Sequence, residues 1–241
     1  MDKALKDFIK DNDEIPVTYW QLCYRRFTCA SETPYERLRA VFLDAIAASG
    51  GQVNLDDELE AVLLFHERIN QCFKNNQRSD FHEFCKILIG SEFEKEETIR
   101  KLWEAFDGFP QIGEKKSAMI IKNIVLFSED DIFYNIDREM YKEYLIVPVD
   151  RVVRILCRTI YNEPELNFNE INEIANKEFP GNPILLDDLW FWGHFTMQGD
   201  EVLSNGNEAR IKTDFILTER FIDKYRLIDK INKFTELFRS L

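Results

Sequence analysis

The sequence predicts an all-α protein. Apolar residues recur at helical spacing along most of the 241 residues, and runs of strict apolar/polar alternation are scarce. Hydrophobic residues make up 45% of the chain and charged residues 31%, which is the composition of a globular protein with a sizeable core. With 9 Gly and 7 Pro against 20 Phe, the chain is neither collagenous nor of low complexity. We therefore expect packed helices and not a disordered chain.

Helices are predicted one after another in the first half of the chain. Residues 35–48 follow Pro34 and stop at a Ser-Gly-Gly sequence, which is typical of a helix with a defined C-terminal end. Amphipathic spacing predicts three more helices, at 55–73, 81–89 and 94–106. Residues 106–127 (FDGFPQIGEKKSAMIIKNIVLF) then place a turn containing Gly and Pro between two helical stretches, which indicates a helix-turn-helix pair.

The second half begins with an acidic stretch. Residues 128–143 are rich in Asp and Glu, and we interpret them as an acidic insertion with a short helix of its own. Residues 144–149 (YLIVPV) are predicted to be extended, so that Asp150 stands at the N-cap of a helix running to about Tyr161. The remaining predicted helices cover 169–179, 184–197, 213–225 and 227–241.

Charge and composition limit the classes of partner. The 31 Lys and Arg residues are outnumbered by 44 Asp and Glu, and the net charge of -13 is unlike that of a generic nucleic-acid binder. Screening confines charge effects to about 8 Å, so a local basic patch can still bind phosphate. The N-terminus is charged and no apolar run approaches ~20 residues, so we expect a cytoplasmic protein without membrane contact. The five scattered cysteines predict reduced thiols, and the three scattered histidines predict no metal site.

Two segments together suggest a chemistry. In the first, residues 109–114 form a tight connection in which Gly113 permits a positive φ, and a helix opening with Lys115 and Lys116 follows. The backbone N–H groups of such a helix start can bind a phosphate oxygen. Lys115, Lys116 and Lys122 also outweigh Glu114, which predicts a local charge of +2.

The second segment places a carboxylate, Asp150, at a helix start. A lysine attacks a sugar carbon only when it is deprotonated, and a neighbouring cation such as Lys116 beside Lys115 favours the neutral amine. A carboxylate can hold the proton and stabilise positive charge on the sugar ring. Each feature also has a purely structural explanation. The hairpin can be a simple turn between helices, Lys115 can be a solvated surface lysine, and Asp150 can serve only as the N-cap of its helix.

Both segments resemble the helix-hairpin-helix DNA glycosylases, the superfamily of endonuclease III and of the adenine and 8-oxoguanine glycosylases. FPQIGEKKSAMI is similar to the family hairpin, although Gln111 replaces its first glycine, and IVPVDRVVRILCRTI is similar to the segment of the catalytic aspartate. The resemblance implies two helical lobes with the active cleft between them, Lys115 as the nucleophile and Asp150 as the shared aspartate. It also implies contacts with double-stranded DNA at Gln111, Ile112, Gly113, Lys116 and Arg151.

A third segment narrows the resemblance. LWFWGHFTM (189–197) is similar to the family segment that leads into an iron–sulfur cluster, but Met197 replaces the first cluster cysteine and no Cys follows Cys157. We therefore expect no cluster and no other cofactor. The absence of a cluster and the 35-residue gap from Lys115 to Asp150 are most similar to the archaeal-type 8-oxoguanine glycosylases. The resemblance to that branch implies that Asp188 and Trp192 line the pocket that binds the base. The alternative for Trp192 is packing in the core. Gln21 is a further candidate for contacting the base.

The resulting hypothesis is a monomeric bifunctional enzyme of base excision repair that excises an oxidised base, 8-oxoguanine, from duplex DNA and then cleaves the strand. A terminal lobe would comprise 1–34 and 149–241, and a central lobe 35–148 would carry the hairpin (104–127) and the acidic insertion (128–143). Two alternatives stay open. One is a monofunctional or altered-substrate glycosylase of the same fold, and the other is a non-catalytic module that binds DNA or protein.

Overall fold

The computed structural model describes residues 1–48, 55–73, 77–90, 95–128, 131–203, 206–214 and 223–241. Of these residues 71% are helical and 4% lie in strands, which confirms the mostly helical class. The chain divides into two compact units. A central unit comprises Tyr24–Pro148, and a terminal unit comprises Met1–Cys23 with Val149–Leu241.

The central unit contains the end of the second helix of the chain and six further helices. The elements in chain order are α2 (Glu14–Thr28, shared with the terminal unit), α3 (Pro34–Ala47), α4 (Leu55–Ile69), a 3₁₀ turn (Asn70–Cys72), β1 (Ser79–Asp80), α5 (Phe81–Ile89), α6 (Lys95–Asp107), α7 (Glu114–Lys122), a π-helical turn (Asn123–Phe127), β2 (Phe133–Tyr134) and α8 (Arg138–Lys142). The two short strands pair in parallel. The predicted short helix in the acidic insertion is confirmed as α8.

Phenylalanine rings form the centre of this unit. Phe42 on α3 stacks on Phe65 of α4 with 4.2 Å between the ring centroids, and Phe109 of the hairpin meets Phe42 edge-on at 5.5 Å. All three side chains are buried. The hairpin is therefore anchored to the core by its own aromatic residue.

The terminal unit contains the first helix of the chain, most of α2 and, among its described residues, five further helices. Its elements besides α2 are α1 (Lys3–Asp11), α9 (Arg151–Tyr161), α10 (Phe168–Glu178), a 3₁₀ turn (Pro183–Asp187), α11 (Asp188–Thr196), β3 (Met197–Gln198), β4 (Glu201–Val202), α12 (Glu208–Thr213) and α13 (Lys224–Arg239). Caps define several ends. Asp2 accepts backbone hydrogen bonds at the start of α1, and Asn167 and Glu170 form a capping box on α10.

Two predicted helices need correction in this unit, and a third cannot be compared. The single helix predicted at 184–197 is a 3₁₀ turn followed by α11, which ends at Thr196 because Met197 pairs with Val202 in a β-hairpin. The helix predicted at 213–225 falls largely on residues 215–222, outside the described residues. The last helix begins at Lys224, before the predicted 227.

The first 34 residues contain two helices for which the sequence spacing gave no bounds. In the structure, α1 and α2 occupy most of this segment. Leu5, Phe8 and Ile9 are the buried residues of α1, and their i, i+3, i+4 spacing is the signal that predicts an amphipathic helix. Among the described helices, none combines the length and the apolar character required to cross a membrane.

Candidate functional site

The hairpin between α6 and α7 is closed by backbone hydrogen bonds. Phe109 N–H donates to the Phe106 carbonyl at 3.0 Å, and Ile112 N–H donates to the Phe109 carbonyl at 3.1 Å. The side chains of Phe109 and Ile112 are buried, and Trp103 Nε1 donates to the Glu114 carbonyl at 2.9 Å. These contacts hold the start of α7 firmly against α6.

Gly113 permits a positive φ but does not adopt one. Gly113 is extended (φ -133°, ψ -178°) and serves as the N-cap of α7. The left-handed residue of the turn is Gln111, with φ 62°. The chain therefore makes its tight turn at the position of the first family glycine, although a side chain is present there. A left-handed backbone at a residue with a Cβ costs about 1–2 kcal/mol.

Two side-chain contacts hold Gln111 in this conformation. Its Nε2 donates to Asp57 Oδ2 on α4 at 2.9 Å. Its carbonyl oxygen accepts a hydrogen bond from Lys116 Nζ at 2.5 Å. Both contacts involve a charged group, and such hydrogen bonds are stronger than neutral ones. We infer that they offset the cost of the left-handed backbone.

The N-terminus of α7 is open. Gly113 has no side chain that could cap the first-turn N–H groups, and a Cβ built on it would meet no atom within 4 Å. The first N–H groups of a helix have no partner within the helix, and the helix dipole favours an anion near them. This end of α7 therefore has the properties of a phosphate-binding site.

The lysines of α7 differ in their surroundings. Lys115 is partly exposed and makes no hydrogen bond or ion pair with any described residue. Lys116 is also partly exposed, and burial, with Lys115 beside it, lowers the pKa of its ammonium, although Glu58 opposes this. Lys115 is thus available to a substrate, whereas Lys116 is engaged with the hairpin.

The predicted local charge of +2 is too high for the surface, because Lys122 lies in the interior. Its side chain is 4% exposed. Asp44 on α3 lies nearby: burial raises the pKa of its carboxyl, and Lys122 acts in the opposite direction. Only Lys115 and Lys116, against Glu114, remain at the helix start. The lysine at the end of α7 is therefore structural and does not contribute to a phosphate site.

Asp150 is the N-cap of α9, as predicted. Its Oδ1 accepts a hydrogen bond from Val153 N–H at 2.9 Å, while its Oδ2 accepts none from the described residues. The preceding residues, 147–149, are buried, so the chain is fixed immediately before the carboxylate. One oxygen thus orients the side chain and the other is free to bind a substrate. The next residue, Arg151, is exposed and pairs with Asp200.

Asp188 and Trp192 lie on α11 inside the terminal unit. Asp188 is 4% exposed and Trp192 is fully buried. The Trp192 ring meets Phe8 of α1 edge-on at 5.0 Å and stacks on Phe234 of α13 at 6.1 Å. In this arrangement the indole belongs to the hydrophobic core, and stacking on a base requires one of these rings to move.

Gln21 lies on α2, partly exposed, and its amide makes no hydrogen bond with a described residue. The helix that carries it packs on α11, because Tyr19 contacts Phe191 with ring centroids 5.3 Å apart. Gln21, Asp188 and Trp192 are therefore on two helices that pack together within one unit. Lys115 and its hairpin belong to the central unit.

The chain matches no protein-family model, and no curated protein or solved structure is significantly similar to it. The likeness to the glycosylases therefore depends on the motifs quoted above. In the part of the chain that the structure describes, no three His, Cys, Asp or Glu residues are grouped so that they could hold a metal ion.

The sequence reasoning did not find the aromatic cluster between α2 and α11. Trp20 packs on Trp190 at 4.8 Å, and Trp190 stacks on His194 at 4.7 Å with an interplanar angle of 11°. Burial, with Arg210 nearby, lowers the pKa of His194 to about 4, although Asp214 acts in the opposite direction. The i, i+4 spacing of Trp190 and His194 was the available signal, since such residues are neighbours on a helix.

Proposed function

We propose that this protein is a helix-hairpin-helix DNA glycosylase with lyase activity that excises an oxidised base, 8-oxoguanine, from duplex DNA. The Lys115 amine attacks C1′ of the damaged nucleotide, and the bond from C1′ to the base breaks. Opening of the sugar ring gives a Schiff base between Lys115 and C1′. Loss of a C2′ proton then allows β-elimination, which cleaves the strand on the 3′ side.

The observation that carries this proposal is the setting of Lys115. It lies in the first turn of α7, beside an uncapped helix start suited to phosphate, and no described side chain occupies its ammonium. The adjacent lysine, Lys116, is engaged by its hydrogen bond to the Gln111 carbonyl, so Lys115 is the lysine of this turn that is open to a sugar. These are the surroundings in which a lysine acts as a nucleophile toward a sugar held by its phosphate.

Asp150 has the second role in the proposed reaction. Its free Oδ2 can take a proton during base release and stabilise the positive charge that develops on the sugar ring. Its Oδ1 is held by the backbone of α9, so the carboxylate has a defined orientation. Gln111, Ile112 and Gly113 would bind phosphate through the hairpin backbone, with Lys116 and Arg151 as neighbouring cations.

The base pocket is proposed at Asp188, Trp192 and Gln21. A flipped base is held by stacking on an aromatic ring and by hydrogen bonds to its edge. Gln21 offers an amide that makes no hydrogen bond with the described residues. Trp192 becomes a stacking partner only if Phe8 or Phe234 is displaced when the base enters.

The enclosed position of Trp192 favours one alternative, a glycosylase of the same fold that is monofunctional or acts on another base. Under this alternative Trp192 remains in the core and Asp150 alone assists release of the base. The net charge of -13 favours the other alternative, a module that binds DNA or protein without catalysis.

Analysis of reaction products separates these possibilities. The protein is incubated with an end-labelled duplex containing one 8-oxoguanine, and half of each sample is treated with alkali. A strand break without alkali is expected for the bifunctional enzyme. A break only after alkali indicates monofunctional base release, whereas DNA binding without either product indicates a binding module.

Asp150→Asn is the matched variant, because Asn caps a helix as well as Asp does. We expect the variant to fold normally and to release the base about 10²–10⁴-fold more slowly, which is the usual contribution of a general acid or base. Equal rates for the variant and the wild type would contradict the assigned role of Asp150.

A further inference from the structure

Arg151 and Asp200 form an ion pair at the surface of the terminal unit. Arg151 is the first residue of α9, and its Nη2 donates to Asp200 Oδ1 at 2.6 Å. The two side chains are 74% and 64% exposed. An exposed pair of this kind contributes little to the free energy of unfolding. The small contribution of the pair to the free energy of unfolding does not by itself account for the contact between this carboxylate and this guanidinium.

The fold delivers Asp200 to this position through α11. Gly193 lets α11 approach α9 closely, because a Cβ there would lie 2.4 Å from Val152 Cγ1. A tight antiparallel β-hairpin follows α11, with Met197 paired to Val202 and Gln198 to Glu201. Gly199 and Asp200 are left as its two-residue turn, and Gly199 has the positive φ that such a turn requires.

Asp200 occupies one of the donor groups on Arg151 that a phosphate would bind, the Nη2 group. A guanidinium binds carboxylate and phosphate with the same planar set of N–H donors, so the two anions compete for it. Because both side chains are largely exposed, a phosphate can reach the pair from solvent. Arg151 is also adjacent in sequence to Asp150, the residue proposed to act on the sugar.

We propose that Asp200 is an internal competitor of the DNA backbone, and that a phosphodiester must displace its carboxylate from Nη2 before Arg151 can bind DNA through its full set of donors. The inference rests on the proposed function, because it assumes that Arg151 meets a phosphate. Asp200 is then a positioning residue that acts through Arg151. It weakens binding to any duplex and thereby limits retention on undamaged DNA.

The replacement of Asp200 by a phosphate on Arg151 determines how DNA binding depends on salt. Salt weakens the Arg151–phosphate contact and also the Arg151–Asp200 pair, so the two effects partly cancel in the wild type. Without the carboxylate only the first effect remains. Removal of the Asp200 charge should therefore raise affinity most at low salt and should make the decline of affinity with salt steeper.

The test measures the affinity of the full chain for an undamaged 20-base-pair fluorescent duplex by anisotropy, at several salt concentrations. Asp200→Asn is expected to bind about 2–5-fold more tightly than the wild type at low salt, in line with the strength of an exposed ion pair. Glu201→Gln is the matched control, because it removes the same charge from an adjacent exposed residue that pairs with no described cation. It should change affinity less than about 2-fold, since Glu201 makes no ion pair with Arg151 and its removal frees no guanidinium.

Two further variants identify the route of the effect. Arg151→Gln with Asp200→Asn should bind no more tightly than Arg151→Gln alone, because Asp200 then has no guanidinium to occupy. Asp200→Glu, which keeps the carboxylate, should bind like the wild type. Equal gains from Asp200→Asn and Glu201→Gln, or a gain that persists without Arg151, would overturn the inference while leaving DNA binding intact. Failure of every variant to bind DNA even at low salt would instead overturn the proposed function together with the inference.

Discussion

At the scale of single residues, the hairpin depends on a left-handed backbone at a residue that carries a side chain. Gln111 has φ 62° and is held by Asp57 on one side and by Lys116 on the other. Glycine is the usual residue with a positive φ, so Gly113 was the candidate that the sequence offered, but its backbone is extended. Sequence alone could not show that contacts from α4 and α7 stabilise Gln111 instead.

A pair of variants measures this local cost. Gln111→Gly and Gln111→Ala both lose the hydrogen bond to Asp57, but only Ala keeps a Cβ at positive φ. We expect the Gly variant to be more stable than the Ala variant by about 1 kcal/mol in denaturant unfolding. Equal stability of the two variants would show that the left-handed backbone carries no measurable cost.

At the scale of elements, α9 and α11 form a close pair through Gly193. A Cβ at Gly193 would meet Val152 Cγ1 at 2.4 Å and Leu156 Cδ1 at 2.8 Å, so these side chains or the helices that carry them would have to move. This pair carries Asp150 and Arg151 on one helix and Asp188 and Trp192 on the other. Their separation is thus set by one glycine.

Gly193→Ala is expected to lower the free energy of unfolding by about 1–3 kcal/mol, the usual cost of overpacking a core. Gly108→Ala is the control, because a Cβ there would make only ordinary contacts at 3.5 Å and beyond. Denaturant unfolding of both variants measures the difference. A stable Gly193→Ala protein would mean that α9 and α11 are less tightly packed than the structure indicates.

Burial of His194, which stacks on Trp190, makes the free energy of unfolding depend on pH. The folded protein lowers the pKa of His194 to about 4, from an ordinary value near 6.5, so the unfolded chain binds more protons between these values. Stability is therefore fully present above pH 6.5 and is lost as pH falls toward 4. We expect this residue to contribute a loss of about 2 kcal/mol between pH 7 and pH 5.

His194→Gln is the variant that measures this contribution, by denaturant unfolding at both pH values. The wild type should lose more stability than the variant over this interval, whatever the other titrating groups contribute to both proteins. The assignment would be wrong if the wild type and the variant lost equal amounts of stability.

The sequence predicted the helices whose ends are set by neighbouring residues, such as a cap or an extended segment. Asp150 was identifiable as an N-cap because it follows an extended, Pro-containing segment, and the structure confirms this role. The break between Asp187 and Asp188 was not identifiable, because apolar residues recur on both sides of these two aspartates. The end of α11 at Thr196 was not identifiable either, because Val202, the hairpin partner of Met197, lies outside 184–197. The interior position of Lys122 depends on packing against α3, which spacing does not reveal.

At the scale of the whole molecule, the protein has a negative net charge, as does DNA, its proposed partner. A net charge of -13 repels DNA at long range, and screening leaves only short-range contacts to bind it. The proposal therefore assigns binding to a few local groups, namely the start of α7 with its two lysines and the start of α9 with Arg151. Phosphate contacts of this kind imply strong binding only at low salt.

The central claim is that Lys115 forms a Schiff base with damaged DNA, and borohydride trapping tests it most directly. The protein is incubated with a labelled duplex containing 8-oxoguanine and then reduced, with Lys115→Gln and Lys116→Gln in parallel and a known lyase as positive control. The account predicts a covalent protein–DNA band for the wild type and for Lys116→Gln, and none for Lys115→Gln. A band that persists in Lys115→Gln, or no band for the wild type while the control enzyme is trapped, would contradict it.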